Sequence, residues 1–135
     1  WLKSCRKLRP MALLRVSGVA LLLALAGASP WARRKPGALG DERPATPHVQ
    51  DLCNSLRNEA MKQMQAAGWN GIFTKFQATK YASQVVAGTN YFVKVDAGSS
   101  QFLHLRIFEP LPFMNAEAEL SAVKQAAEGD PIRFF

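Results

Sequence analysis

The chain has 135 residues, 48% of them hydrophobic and 13 aromatic, with 17 Lys and Arg against 10 Asp and Glu, and two cysteines. That length holds one modest domain and excludes a two-domain enzyme, while the apolar content is too high for wholesale disorder. The formal charge of +7 invites nucleic acid or an anionic membrane, but from Pro36 onward nine basic groups face all ten acids. No clustered Lys and Arg surface is left there to release phosphate counterions, so nucleic-acid binding is not expected.

Residues 1–10 precede Met11 and read as upstream or fragment residues. Met11 to Arg15 is a short basic start, Val16 to Ala26 an apolar run, and Ala26 to Ala28 a small-residue cleavage pattern. Residues 11–28 are therefore expected to be a secretory signal cleaved after Ala28. The run falls short of the ~20 residues that a permanent spanning helix needs, so no stable membrane anchor is expected. A first core helix is the competing reading, disfavoured because no polar face recurs at helical spacing. Residues 29–36 (SPWARRKP) form a Pro-flanked basic linker, and residues 37–135 the folded domain. Removing the leader removes Cys5 and leaves Cys53 alone, so no internal disulfide can form.

Thr46-Pro47 announces a helix, with Thr46 as N-cap and Pro47 in the first turn. Val49, Leu52, Cys53, Leu56, Ala60 and Met64 trace its apolar face over about five turns. Gly68, Asn70 and Gly71 stop it. Cys53 lies in that stripe and is expected to be a buried thiol.

From Ile72 the pattern turns to β-branched and aromatic residues. One strand runs toward Val85 and Val86, Gly88 to Asn90 breaks it, Tyr91 to Asp96 forms a second, and Phe102 to Phe108 alternates as a third. The connections are too short for parallel crossovers, so the sheet should be an antiparallel meander beside one helix. Pro110 and Pro112 force a loop. A last strand is expected near Ile132 to Phe135, with Ala126-Ala127 favouring helix before it.

The segment Gln84 to Val95, opening with QVVAG, resembles the cystatins and their stefin branch. Pro36-Gly37, Pro44 to Pro47, and His104 to Arg106 leading to Leu111-Pro112 match at family spacing. The resemblance implies an α+β fold, one N-terminal helix wrapped by a four- to five-stranded antiparallel sheet. It also implies reversible, tight-binding inhibition of papain-like cysteine proteases such as the cathepsins. The protease-binding residues it implies are Pro36 and Gly37 in an N-terminal trunk, Gln84, Val85, Val86, Ala87 and Gly88 in a first hairpin, and Leu111 and Pro112 in a second. It further implies a capacity for domain-swapped homodimers. Stefins typically lack a leader and act inside cells, whereas secreted type-two cystatins carry two disulfides; this chain pairs a leader with a disulfide-free body. Secretion follows if the leader is used, and a cytoplasmic location if it is not.

An enzyme would need Cys53 as nucleophile with His48 or His104 as base. His48 lies off the apolar stripe and His104 falls mid-strand, which does not make an activated thiolate. Two His and one usable Cys provide no metal spacing, there is no phosphate-cradling glycine loop, and no cofactor is expected. The rival to the inhibitor is a non-inhibitory binding or structural module on the same fold.

Overall fold

Thr46 adopts extended backbone and its side chain accepts a hydrogen bond from the Val49 N–H at 3.3 Å, which starts the helix where the sequence places it. The computed structural model describes Lys35 and residues 37–135. The expected leader, the upstream residues, the rest of the linker and Pro36 lie outside the described residues.

The helix is interrupted once. Helix α1 spans Pro47–Ser55 and α2 spans Arg57–Ala66, with Leu56 between them at φ −100° and ψ 5°. The Ser55 hydroxyl donates to the Leu52 carbonyl at 2.8 Å, and Leu56 N–H reaches that same carbonyl only at 3.3 Å. A side chain competing for a helix carbonyl bends the helix locally. The single five-turn helix of the sequence reading is thus a broken pair, and the apolar stripe of Val49, Cys53, Ala60 and Met64 still faces one way.

Five antiparallel strands follow chain order across the sheet: β1 Arg43–Pro44, β2 Gln77–Val86, β3 Gly88–Gly98, β4 Gln101–Glu109 and β5 Glu119–Ala126. Alternation sets the two faces. Val93, Val95 and Ala97 of β3 and Leu103, Leu105 and Ile107 of β4 are buried in one core cluster with the helix stripe, Phe73 and Phe76. Burying a side chain of this size stabilises the fold by about 1.5–3 kcal/mol. Gln50 also ties helix to sheet, since its Nε2 donates to the Phe76 carbonyl at 3.0 Å and its Oε1 accepts from the Ala78 N–H at 2.8 Å.

Beyond the broken helix, Gly88 to Asn90 open β3 and pair with β2 instead of breaking the strand pattern, and two further features depart from expectation. The last strand is Glu119–Ala126, whereas Ile132 to Phe135 is not a strand. Leu120 on β5 is buried against the helix core, and that burial outweighs the helix preference of Ala126-Ala127. The tail crosses the outer face instead, where Ile132 is buried with Phe92 and Ala82 and Phe135 packs beside them. The buried Lys94 ammonium anchors it by donating to the Glu128 and Asp130 carbonyls, and Ile132 N–H donates to the Glu42 carboxylate at 2.6 Å. The second departure is β1, two residues long, which pairs Arg43 with Tyr81 and Pro44 with Lys80.

Candidate functional site

The first hairpin is as tight as antiparallel pairing allows. Val86 pairs with Gly88, leaving Ala87 alone at the tip. Val85 is 74% exposed and Val86 42%, although both are apolar and belong to a strand. Gly88 is buried at φ +136°, and a Cβ there would lie 2.6 Å from the Glu109 carbonyl oxygen. Glycine is therefore required both by the backbone angle and by the neighbouring strand.

That neighbour leads into the second exposed segment. Thr89 pairs with Glu109, the last residue of β4, so the register that closes the first hairpin also sets where the next loop leaves the sheet. Leu111 and Pro112 are exposed, and a one-turn 3-10 helix, Pro112–Met114, adds Phe113 at 78% and Met114 at 54% exposure. The sequence leaves Phe113 open between an added aromatic contact and packing back on the sheet and does not single out Met114; both are exposed. Pro112 opening a short turn, with Asn115 in the left-handed region at φ 46° to close it, is the signal that could have found them.

On the other side of the hairpin lies the trunk. Gly37 sits at φ +80° in a reverse turn in which Ala38 N–H donates to the Lys35 carbonyl at 3.0 Å. Gly40 N–H donates to the Ser83 carbonyl at 2.8 Å and Ala45 N–H to the Thr79 carbonyl at 3.0 Å, so the trunk runs along the edge of β2. Gln84 is half-buried, and its Nε2 donates to the Gly37 carbonyl at 2.5 Å while its Oε1 accepts from Asn90 Nδ2 at 3.1 Å. Among the sequence-derived site residues, Gly37, Gln84 to Gly88, Leu111 and Pro112 thus fall at one end of the sheet in a row, and Pro36 lies outside the described residues. With strands about 4.8 Å apart, a row from the β1 line to the loop after β4 is about 15–20 Å long.

A brace at the base of the second loop was also missed. His48 Nε2, at the start of α1, is 3.1 Å from Glu109 Oε1, and the His48 and Tyr91 rings meet edge-on with centroids 6.1 Å apart. Burial, and then the Glu109 charge, push the Tyr91 hydroxyl above its ordinary pKa of 10.0. His48 is one of the two histidines weighed in the sequence as a base, and here it binds a carboxylate rather than a thiol. Cys53 is fully buried, and desolvation pushes its thiol up to about 12, so it is not a nucleophile. Among the described residues no group of His, Cys, Asp and Glu is arranged to hold a metal ion, and no helix is long and apolar enough to cross a membrane.

Two short helices held against a meander of five antiparallel strands, with two exposed apolar turns and a glycine-bearing trunk along one end, define an α+β scaffold that presents an apolar end for contact with another molecule. The cystatin domain profile matches residues 37–128, and the chain belongs to the cystatin family, in its stefin-like, type 1 branch. Cystatin-B of Homo sapiens is 37% identical over 100 residues, covering 73% of this chain and 97% of that protein. Cystatin-A1 of Sus scrofa is 38% identical over 86 residues, covering 64% of this chain and 79% of that one. Among solved structures, a secreted type 1 cystatin from Fasciola hepatica superposes with a TM-score of 0.52 at 21% identity, over 68% of this chain and 98% of that one, which speaks to the fold alone. Cystatins form a family of cysteine protease inhibitors and are not enzymes, so proteases are the partner class.

Proposed function

We propose that the chain is a reversible, tight-binding inhibitor of papain-like cysteine proteases, cathepsins among them, and that it fills their active-site cleft with the trunk and the two turns. The observation that carries this reading is the row along one end of the sheet: an open glycine turn, a hairpin tip with Val85 exposed, and a loop exposing Leu111 and Phe113. Pro36, Gly37, Gln84, Val85, Val86, Ala87, Gly88, Leu111 and Pro112 are assigned to it, extended by Phe113 and Met114. Apolar tips gain about 25 cal/mol per Å² on burial, and turns already held by strand pairing lose little freedom on docking. A residue without Cβ at 37 lets the trunk pass beside a catalytic thiol and turn away, so no peptide bond is presented for attack. Titrating papain with the recombinant chain from Ser29 tests this. Stoichiometric loss of activity is expected; no effect at micromolar concentration would leave a non-inhibitory module.

Two finer readings accompany it. Residues 11–28 direct export, with a mature chain beginning at Ser29 that mass spectrometry of the culture medium would detect. The first hairpin can also open to give a domain-swapped homodimer.

A further inference from the structure

We infer that Asn90 is a positioning residue that holds the trunk in place through Gln84, so that the trunk is docked on the hairpin before any protease is met. This rests on the inhibitory reading of the same end of the molecule. Gln84 and Asn90 are cross-strand partners in β2 and β3, and Asn90 is 7% exposed. Asn90 Nδ2 donates to Gln84 Oε1 at 3.1 Å, and Gln84 Nε2 donates to the Gly37 carbonyl at 2.5 Å.

The chain of bonds has one possible polarity. A backbone carbonyl only accepts, so Gln84 must turn its NH2 toward Gly37 and its oxygen toward Asn90. That oxygen needs a donor, and Asn90 supplies one from a side chain fixed by burial. A donor at this position therefore dictates which way the Gln84 amide faces. Gln84 belongs to the binding row by way of Gly37: both ends of its amide are engaged within the chain, and what it contributes there is to hold the trunk.

Asn90→Asp is the sharpest variant, being nearly isosteric but an acceptor only. Gln84 must then turn its NH2 to the introduced carboxylate and its oxygen to the Gly37 carbonyl, where two acceptors repel. Losing one such bond is expected to weaken papain inhibition about tenfold. Amide hydrogen exchange at Ala38 and Gly40 in the free full-length chain should accelerate by a similar factor, while Val93 and Val95 in the core stay protected. Because a charge at a buried site could disturb folding, Gln84→Met provides the second variant. It keeps the side-chain length on a half-buried position and loses both bonds. The two variants should have equal effects, and the double variant should be no worse than either.

If the wild type inhibits, and both variants match it in inhibition and in trunk exchange, the tether is wrong and the inhibitor stands. If the effects of the two variants add, Asn90 acts by another route and the proposal fails. If the wild type does not inhibit, the inhibitory reading falls, and so does any role of Asn90 in it. Trunk exchange in the variants still decides the tether.

Discussion

The His104 imidazole lies against the Phe135 ring, centroids 6.3 Å apart, with both of its nitrogens buried and without a hydrogen-bond partner. It is 2% exposed on the outer face of β4, under the tail. Desolvation first, and then the Lys124 and Lys94 charges, hold its pKa below the ordinary 6.5; Asp130 and Glu42 oppose this weakly. The folded state therefore keeps His104 neutral to lower pH than the unfolded chain, which takes up a proton below about pH 6.5. The unfolded state binds more protons, so stability falls as pH falls through 6.5 toward the lowered folded value.

Urea midpoints should accordingly decline between about pH 7.5 and 5.5, and His104→Leu should flatten that slope. Glu42 and Asp96, whose pKa values are lowered by a backbone hydrogen bond from Ile132 and by Lys75 respectively, act in a separate window below their ordinary 4.5 and 3.8. An unchanged slope in His104→Leu would assign the acid sensitivity elsewhere.

Gly88 and Gly37 both have positive φ but differ in surroundings, and that difference sets unequal expectations. A Cβ at 88 would be 2.6 Å from the Glu109 carbonyl and 2.8 Å from the Phe108 ring, whereas nothing lies within 4 Å of one at 37. Gly88→Ala must push strands apart, at about 2 kcal/mol or more. Its Tm should drop by about 8–16 °C. Gly37→Trp meets open space but forces a side chain onto a φ of +80°, at about 1 kcal/mol, so its Tm should fall by only about 4–8 °C. It should nonetheless weaken papain inhibition at least tenfold, or ~1.4 kcal/mol. Equal melting of the two variants would contradict the steric argument.

Val85 separates binding from folding in the same way. At 74% exposure its side chain adds little to the core. Val85→Asp should melt like wild type, yet burying an unpaired carboxylate in an apolar cleft should weaken inhibition by about a hundredfold or more. Full inhibition by Val85→Asp would remove the hairpin tip from the interface.

The strand faces were legible because burial follows a period of two: Leu103, Leu105 and Ile107 point one way, His104 and Arg106 the other. The helix start was legible because Thr46-Pro47 is a local signal. The break at Leu56 was not, since Ser55 is compatible with a continuous helix until its hydroxyl finds the Leu52 carbonyl. The tail was misread because the outer sheet face around Phe92, which attracts Ile132, exists only after the strands pair. For the site, Val85, Val86, Leu111 and Pro112 were legible only through the resemblance of QVVAG and the Leu-Pro loop to the cystatins. The Asn90, Gln84 and Gly37 linkage includes a bond between residues 47 apart in sequence and becomes visible only through the fold.

The domain-swapped dimer proposed above would have to form by opening the hairpin that carries Val85. Only Ala87 separates the paired Val86 and Gly88, and Gly88 at φ +136° is free to relax to extended backbone. Opening there would turn β2 and β3 into one strand from Gln77 to Gly98, letting the helices and β2 of one chain pack on the rest of another. Among the described residues no disulfide holds the halves together, and the free thiol of Cys53 is buried. Heating to partial unfolding should then yield a dimer by size-exclusion chromatography that does not inhibit papain, because the tip has ceased to exist. A dimer linked through Cys53 would dissolve in reductant, whereas the swapped one would persist. A reductant-resistant dimer that inhibits as well per chain as the monomer would show that the exchange does not pass through Val86 to Gly88.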